Sequence, residues 1–203
     1  MADEHLYNGY RIPSNRASWS MYSGGRFFIT ACTENGVHYF GEVENDEMCL
    51  NELGKVVASA ISEIPSHYPY SKVPYSVVMP NHIHLYIVID MDYADLPPHI
   101  ERAPLLARII SGMKAAVTRH ANAHGIPFKW QPRYYDHIIR DDEDADNIRD
   151  YILSNPRRWL DDKYHRWNSQ TTVRPVETPY MASKNRNRTK RDKINLFIPK
   201  TNK

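Results

Sequence analysis

Tyr75-Ser-Val-Val-Met-Pro-Asn-His-Ile-His-Leu-Tyr-Ile-Val-Ile89 is the stretch whose reading decides the fold. Val77, Val78 and Met79 form one apolar run, Leu85 to Ile89 form another, and Pro80-Asn81 stand between them as turn residues. The pattern predicts a strand, a tight turn and a second strand lying back beside the first. His82 and His84 open the second strand with one residue between them. Side chains alternate along a strand, so both imidazoles leave the same face while Ile83 enters the opposite layer. Two imidazoles on a rigid strand make half of a metal site. Taken alone, so short a spacing also describes two ordinary strand-end histidines.

Upstream, Arg26-Phe-Phe-Ile-Thr-Ala-Cys32 is rich in aromatic and β-branched residues and reads as a central strand. Glu34-Asn-Gly36 is a turn signal, and Val37 to Val43 reads as a second strand or strand-like arm. Between Leu50 and Ile64, the residues Leu53, Val56, Val57, Ala60, Ile61 and Ile64 recur at helical spacing, and Pro65 closes that helix. Tyr68 to Pro74 reads as a loop.

Downstream of the hairpin, Met91 to Ala103 is an acidic connection containing prolines, and Leu105 to Ala123 is a second amphipathic helix. Phe128 to Arg140 interleaves aromatic with basic residues and contains a strand near His137–Arg140. Asp141-Asp142 cap a third helix, from about Glu143 to Ser154, with Glu143 and Asp144 favourably placed in its first turn. Strands and helices in this order predict an α+β fold, an antiparallel sheet with helices on one face.

The 203 residues suit one domain with appendages. With 41% hydrophobic and 25% charged residues the composition is that of an ordinary globular chain. No apolar run approaches the roughly 20 residues of a membrane span. The first residues are acidic and polar, unlike a signal peptide. Two cysteines, Cys32 and Cys49, lack metal-type spacing and argue for a reducing cytoplasm. The net charge of +2 conceals an asymmetry: Lys184 to Lys203 holds eight basic residues and one acidic, leaving the remainder near −5. A basic tail on an otherwise acidic chain suits an anionic partner, most simply nucleic acid, and equally a solvated terminus.

In the third helix Tyr151 and Asn155 are four apart and therefore neighbours on one face. Pro156 disfavours an α conformation at Asn155, so the helix is expected to end or kink there. With 14 tyrosines in the chain, Tyr151 by itself is unremarkable.

Three segments together carry more. Val78-Met-Pro-Asn-His-Ile-His84, Trp130-Gln-Pro-Arg-Tyr-Tyr-Asp-His-Ile-Ile-Arg140 and Asp150-Tyr-Ile-Leu-Ser-Asn-Pro156 follow one another in an order that resembles the single-tyrosine HUH transposases (U being a hydrophobic residue), and within them the REP-associated tyrosine transposases. Asn51 to Val57 also resembles that family's first helix, and the resemblance spans roughly residues 15–165.

It implies a ferredoxin-like HUH nuclease domain over 17–172, which the polar leader over 1–16 precedes and the basic tail over 173–203, poorly covered by the resemblance, follows. It also implies that His82, His84 and Asn155 hold a divalent metal while Tyr151 attacks DNA. Imidazole and amide ligands that leave coordination positions open suit Mg²⁺ or Mn²⁺ better than a closed zinc site. The implied reaction cleaves and rejoins single-stranded DNA beside hairpins through a 5′-phosphotyrosine, in a cytoplasmic, nucleoid-associated protein. A domesticated hairpin-binding protein that no longer cuts is the competing reading. Monomer and homodimer both stay open.

Trp130, Arg133, Tyr134 and Tyr135 suit base stacking and backbone contact, or else form a hydrophobic lid under the last helix. His137 reads as second shell, DNA-facing or an ordinary strand residue. Lys184, Arg186 and Arg188 would reach flanking DNA.

Overall fold

A computed structural model describes residues 24–90, 105–162 and 164–165, together with the backbone of two short strands near the N-terminus. In chain order the strands are β1 (Leu6–Tyr7), β2 (Tyr10–Arg11), β3 (Gly25–Cys32), β4 (Gly41–Glu44), β5 (Glu47–Leu50), β6 (Ser71–Met79), β7 (His82–Ile89) and β8 (Tyr135–Ile139). The α-helices are α1 (Glu52–Ser62), α2 (Ile64–His67), α3 (Leu105–Ala123) and α4 (Asp142–Ser154), with a 3₁₀ helix over Pro156–Asp161. The principal sheet has the order β6-β7-β3-β8, and each neighbouring pair is antiparallel.

β7 is buried along nearly its whole length because both sheet faces are covered. On one face Ile29, Ala31, Ile83, Leu85 and Ile87 pack against Val57 and Ile61 of α1 and Ile109, Met113 and Val117 of α3. On the other, Phe28 and Tyr86 pack against Ile148, Tyr151 and Ile152 of α4. The expected antiparallel α+β sheet is present, and the grouping of helices on one face holds for α1 and α3. Helix α4 lies across the opposite face. That face carries Phe28 and Tyr86, large side chains that each stabilise by roughly 1.5–3 kcal/mol once covered.

Three boundaries differ from expectation for identifiable reasons. β6 begins at Ser71, earlier than the loop reading of Tyr68–Pro74 allows. Pro74 is tolerated because β6 is an edge strand, and the register shifts between Lys72 and Tyr75 to pass it. The arm after Glu34–Gly36 becomes a strand only at Gly41, which pairs as a separate hairpin with Glu47–Leu50. Asn45 and Asp46 turn that hairpin with φ of 50° and 65°. Pro65 does not end helical structure; it lies in the first turn of α2, where a missing N–H costs nothing.

Asn51 caps α1 through its side chain, which accepts from Gly54 N at 2.9 Å. A Cβ at Gly54 would run into the Phe40 carbonyl, so glycine is what lets α1 sit down on the arm.

Candidate active site

The antiparallel register places Cys32, His82 and Met79 in one row across the sheet and Tyr135, Thr30, His84 and Val77 in the next. All these side chains leave the face covered by α4. His82 and His84 are both fully buried there, with ring centroids 4.6 Å apart. The paired imidazoles read from the strand alternation therefore sit side by side.

Helix α4 delivers the phenol. Asp141 caps it by accepting from Asp144 N at 2.7 Å, and acidic residues fill its first turn, where the helix dipole favours them. Arg26 of β3 ties the same end to the sheet through Asp142 at 2.8 Å. Two turns on, Tyr151 Oη lies 3.4 Å from His84 Nε2, with the phenol also edge-on to Phe28. Asn155 keeps an αR conformation (φ −59°, ψ −43°) despite the proline that follows, and the chain continues from it as the 3₁₀ helix. The expected break is thus a tightening, and it leaves Asn155 on the face of Tyr151.

Each histidine has a polar partner at its Nδ1. Thr30 Oγ1 lies 2.9 Å from His84 Nδ1. With the proton on Nδ1, His84 donates to Thr30 and accepts from Tyr151 at Nε2. His82 Nδ1 lies 2.9 Å from Asn81 Oδ1. Neither Thr30 nor Asn81 was singled out from the sequence: Asn81 was explained by the turn, and Thr30 looks like any strand threonine.

Asn155 is fully buried, and among the described residues neither its Oδ1 nor its Nδ2 makes a hydrogen bond of good geometry. Its amide is close enough to Tyr151 to draw the phenol pKa down. A buried amide left so poorly bonded costs roughly 1–3 kcal/mol and calls for an explanation. A cation-binding role supplies one, and the imidazole and amide donor set fits a divalent ion. Among the described residues there is no cluster of three or more His, Cys, Asp or Glu that could hold a metal ion.

Tyr151 is only 7% exposed. Burial holds its pKa well above the ordinary phenol value and the nearby Asp162 charge adds to this, while Asn155 and Arg158 act in the opposite direction. The site is roofed by the segment after α4. The Tyr164 ring sits 4.4 Å from that of His82, and Trp159 packs with Cys32, Met79 and Tyr164.

The remaining sequence candidates are dispersed. Trp130 packs against Phe40 and Phe128, its indole N–H donating to Lys114 O at 3.2 Å, which is the packing alternative. Tyr134 joins the α1–α3 core while Tyr135 joins the α4 side, so the two face opposite ways. Arg133 is exposed. His137 is engaged by Asp144 at 2.8 Å, making it an anchor for α4 rather than an outward-facing group. Lys184, Arg186 and Arg188 lie outside the described residues, as do the leader and tail. Among the described residues no helix is long and apolar enough to cross a membrane.

A sheet-borne histidine pair faced by a helix-borne tyrosine defines the class of arrangement, and comparison with known proteins narrows it. No family model matches the chain. An uncharacterized protein of Haemophilus influenzae strain Rd is 34% identical over 155 residues, covering 70% of this chain and 86% of the relative. A second protein of that strain, named as a candidate REP-associated tyrosine transposase, is 29% identical over 133 residues, covering 61% and 72%. A solved REP-associated tyrosine transposase bound to a REP hairpin has the same fold, with a TM-score of 0.50, 23% identity and 78% of each chain covered. The chain is similar to the REP-associated tyrosine transposases.

Proposed function

We propose that this transposase-family protein is a metal-dependent endonuclease and strand transferase. It acts on single-stranded DNA beside hairpins, with Tyr151 as nucleophile and His82, His84 and Asn155 as metal ligands. The observation that carries the reading is the 3.4 Å approach of Tyr151 Oη to His84 Nε2. The poorly bonded Asn155 amide one helical turn away supports it. The hairpin bound by the solved relative supports the choice of substrate.

Mg²⁺ or Mn²⁺ held by the three ligands would polarise the scissile phosphate and offset negative charge in the transition state. The protein's own groups do the rest. Tyr151 Oη loses its proton and bonds to phosphorus as the bond from phosphorus to the 3′ oxygen breaks. The leaving oxygen takes up a proton to become a free 3′-hydroxyl, and the 5′-phosphate stays on tyrosine. The phosphodiester bond is conserved in energy, so attack by a 3′-hydroxyl reverses the step and rejoins strands without a nucleotide cofactor.

Burial disfavours the phenolate, and Arg158 opposes that effect from the turn after Asn155. His82 and His84 are fully buried and the Tyr164 ring lies against His82, so a phosphate reaches the pair only when that ring moves aside. Arg133 and the basic stretch Lys184–Lys193, including Arg186 and Arg188, supply contacts to the DNA backbone.

A labelled hairpin oligonucleotide with a single-stranded flank, incubated with protein and Mn²⁺ and run on a denaturing gel, tests this. The expected result is a covalent band that requires Mn²⁺ and is lost in Tyr151→Phe. Tight hairpin binding with no adduct in the wild-type protein would instead establish a binding protein that does not cut.

A further inference from the structure

We infer that Asn81 is a positioning residue that sets the tautomer and ring orientation of His82, presenting the Nε2 lone pair toward the site; its link to metal binding rests on the function proposed above. Pro80-Asn81 looks like an ordinary hairpin turn, and a turn asparagine usually faces water. Asn81 is instead fully buried. Its backbone is held on both sides, since its carbonyl accepts from Thr33 N at 2.9 Å and the Pro80 carbonyl accepts from Phe40 N at 3.0 Å.

The side chain has one workable orientation. Nδ2 has two hydrogens, and two carbonyl oxygens take them: Gly36 O at 3.0 Å and Tyr164 O at 2.8 Å. Turning the amide over would set its oxygen against both of those acceptors, each buried bond lost costing about 1 kcal/mol or more. Oδ1 must therefore face His82 Nδ1, which lies 2.9 Å away. An amide oxygen only accepts, so Nδ1 carries the proton and neutral His82 keeps its lone pair on Nε2.

The same amide reaches Tyr164, 83 residues away, in the segment that roofs the histidines. One side chain thus joins a histidine of the site, the turn at Gly36 and the roof. Outer partners of this kind orient ligating imidazoles and typically alter metal affinity by about 10–100-fold.

The test uses the full chain, ¹⁵N-labelled, with histidine ring nitrogens read by long-range proton–nitrogen correlation and Mn²⁺ affinity by titration. In the wild type His82 is expected to carry its proton on Nδ1. In Asn81→Ala, with the fold checked by circular dichroism, that preference is lost and Mn²⁺ affinity falls about 10–100-fold. A proton on Nε2 of wild-type His82 overturns the inference, whether or not the variant folds. So does a folded variant with unchanged tautomer and Mn²⁺ affinity, the result expected if Asn81 serves only the turn. A wild type that has the Nδ1 proton yet binds no Mn²⁺ upholds the tautomer assignment and overturns the metal reading instead.

Discussion

Tyr151 Oη lies 3.4 Å from His84 Nε2 although 67 residues separate them in the chain. The contact is long for a hydrogen bond, so it contributes little to folding. Replacing Tyr151 with Phe keeps the ring against Phe28 and is expected to change unfolding free energy by no more than about 1 kcal/mol. The same change removes the only atom at this position able to form a phosphodiester. Covalent adduct on a hairpin oligonucleotide should vanish, with cleavage down at least about 10³-fold. Hairpin affinity measured by fluorescence anisotropy should hold. An adduct persisting in Tyr151→Phe would assign the nucleophile to another residue.

Asn155 gives an opposite pattern, a gain in stability set against a loss of function. Its amide is fully buried without a well-formed hydrogen bond among the described residues. Asn155→Leu replaces a costly polar group with an apolar one that helical backbone accepts. In metal-free buffer the variant is expected to be more stable by about 1 kcal/mol in urea unfolding. Mn²⁺ affinity should fall at least about tenfold, as losing a ligand costs no less than losing its outer support. Destabilisation with unchanged Mn²⁺ binding would mean that the amide serves packing alone.

His137 and Asp144 hold the start of α4 to β8 across 2.8 Å, with Asp144 almost wholly buried. Because α4 carries Tyr151, loosening this end should also be felt at the other. His137→Ala and Asp144→Ala are each expected to destabilise by about 2 kcal/mol, and the double variant by less than their sum. Urea unfolding of all four proteins measures that coupling. A DNA-contacting His137 would predict additivity in stability and a loss confined to hairpin binding.

The parts of this site legible in the sequence are those set by local periodicity. Alternation along β7 puts His82 beside His84, and four-residue spacing puts Asn155 beside Tyr151, whatever the rest of the chain does. Bringing the two pairs together was legible only through family resemblance, since no local rule relates residue 84 to residue 151. The supporting bonds were hidden for the same reason. Thr30 meets His84 across 54 residues, and Asn81 meets Tyr164 across 83. The face chosen by α4 was also missed. Phe28 and Tyr86 signal a second apolar face on the sheet, but either helix packing satisfies the α4 pattern. Trp130 illustrates a different limit: an aromatic among basic residues suits DNA stacking or the core equally, and only its packing on Phe40 and Phe128 decides.

Lys114 provides a prediction whose sign depends on burial. Its ammonium donates to Gln131 O at 2.6 Å and lies 5.4 Å from the centre of the Trp130 ring. Burial lowers its pKa to about 8, against 10.5 for an ordinary lysine. Below pH 8 the group is charged in both folded and unfolded chains, and the folded state bears the full cost of burying it. Between about pH 8 and 10.5 the unfolded chain still binds the proton that the folded chain has released, so raising pH favours folding. The gain is at most roughly 3 kcal/mol for this difference in pKa. Buried tyrosines act in the other direction only above pH 10, where unfolding would free them to ionise. Wild type and Lys114→Met should therefore be compared by urea unfolding at pH 7 and pH 9.5. The stability of the wild type relative to the variant is expected to rise by about 1–3 kcal/mol over that interval. A flat difference would mean that the Gln131 carbonyl and the Trp130 ring compensate the ammonium fully, leaving its pKa near that of a lysine in water.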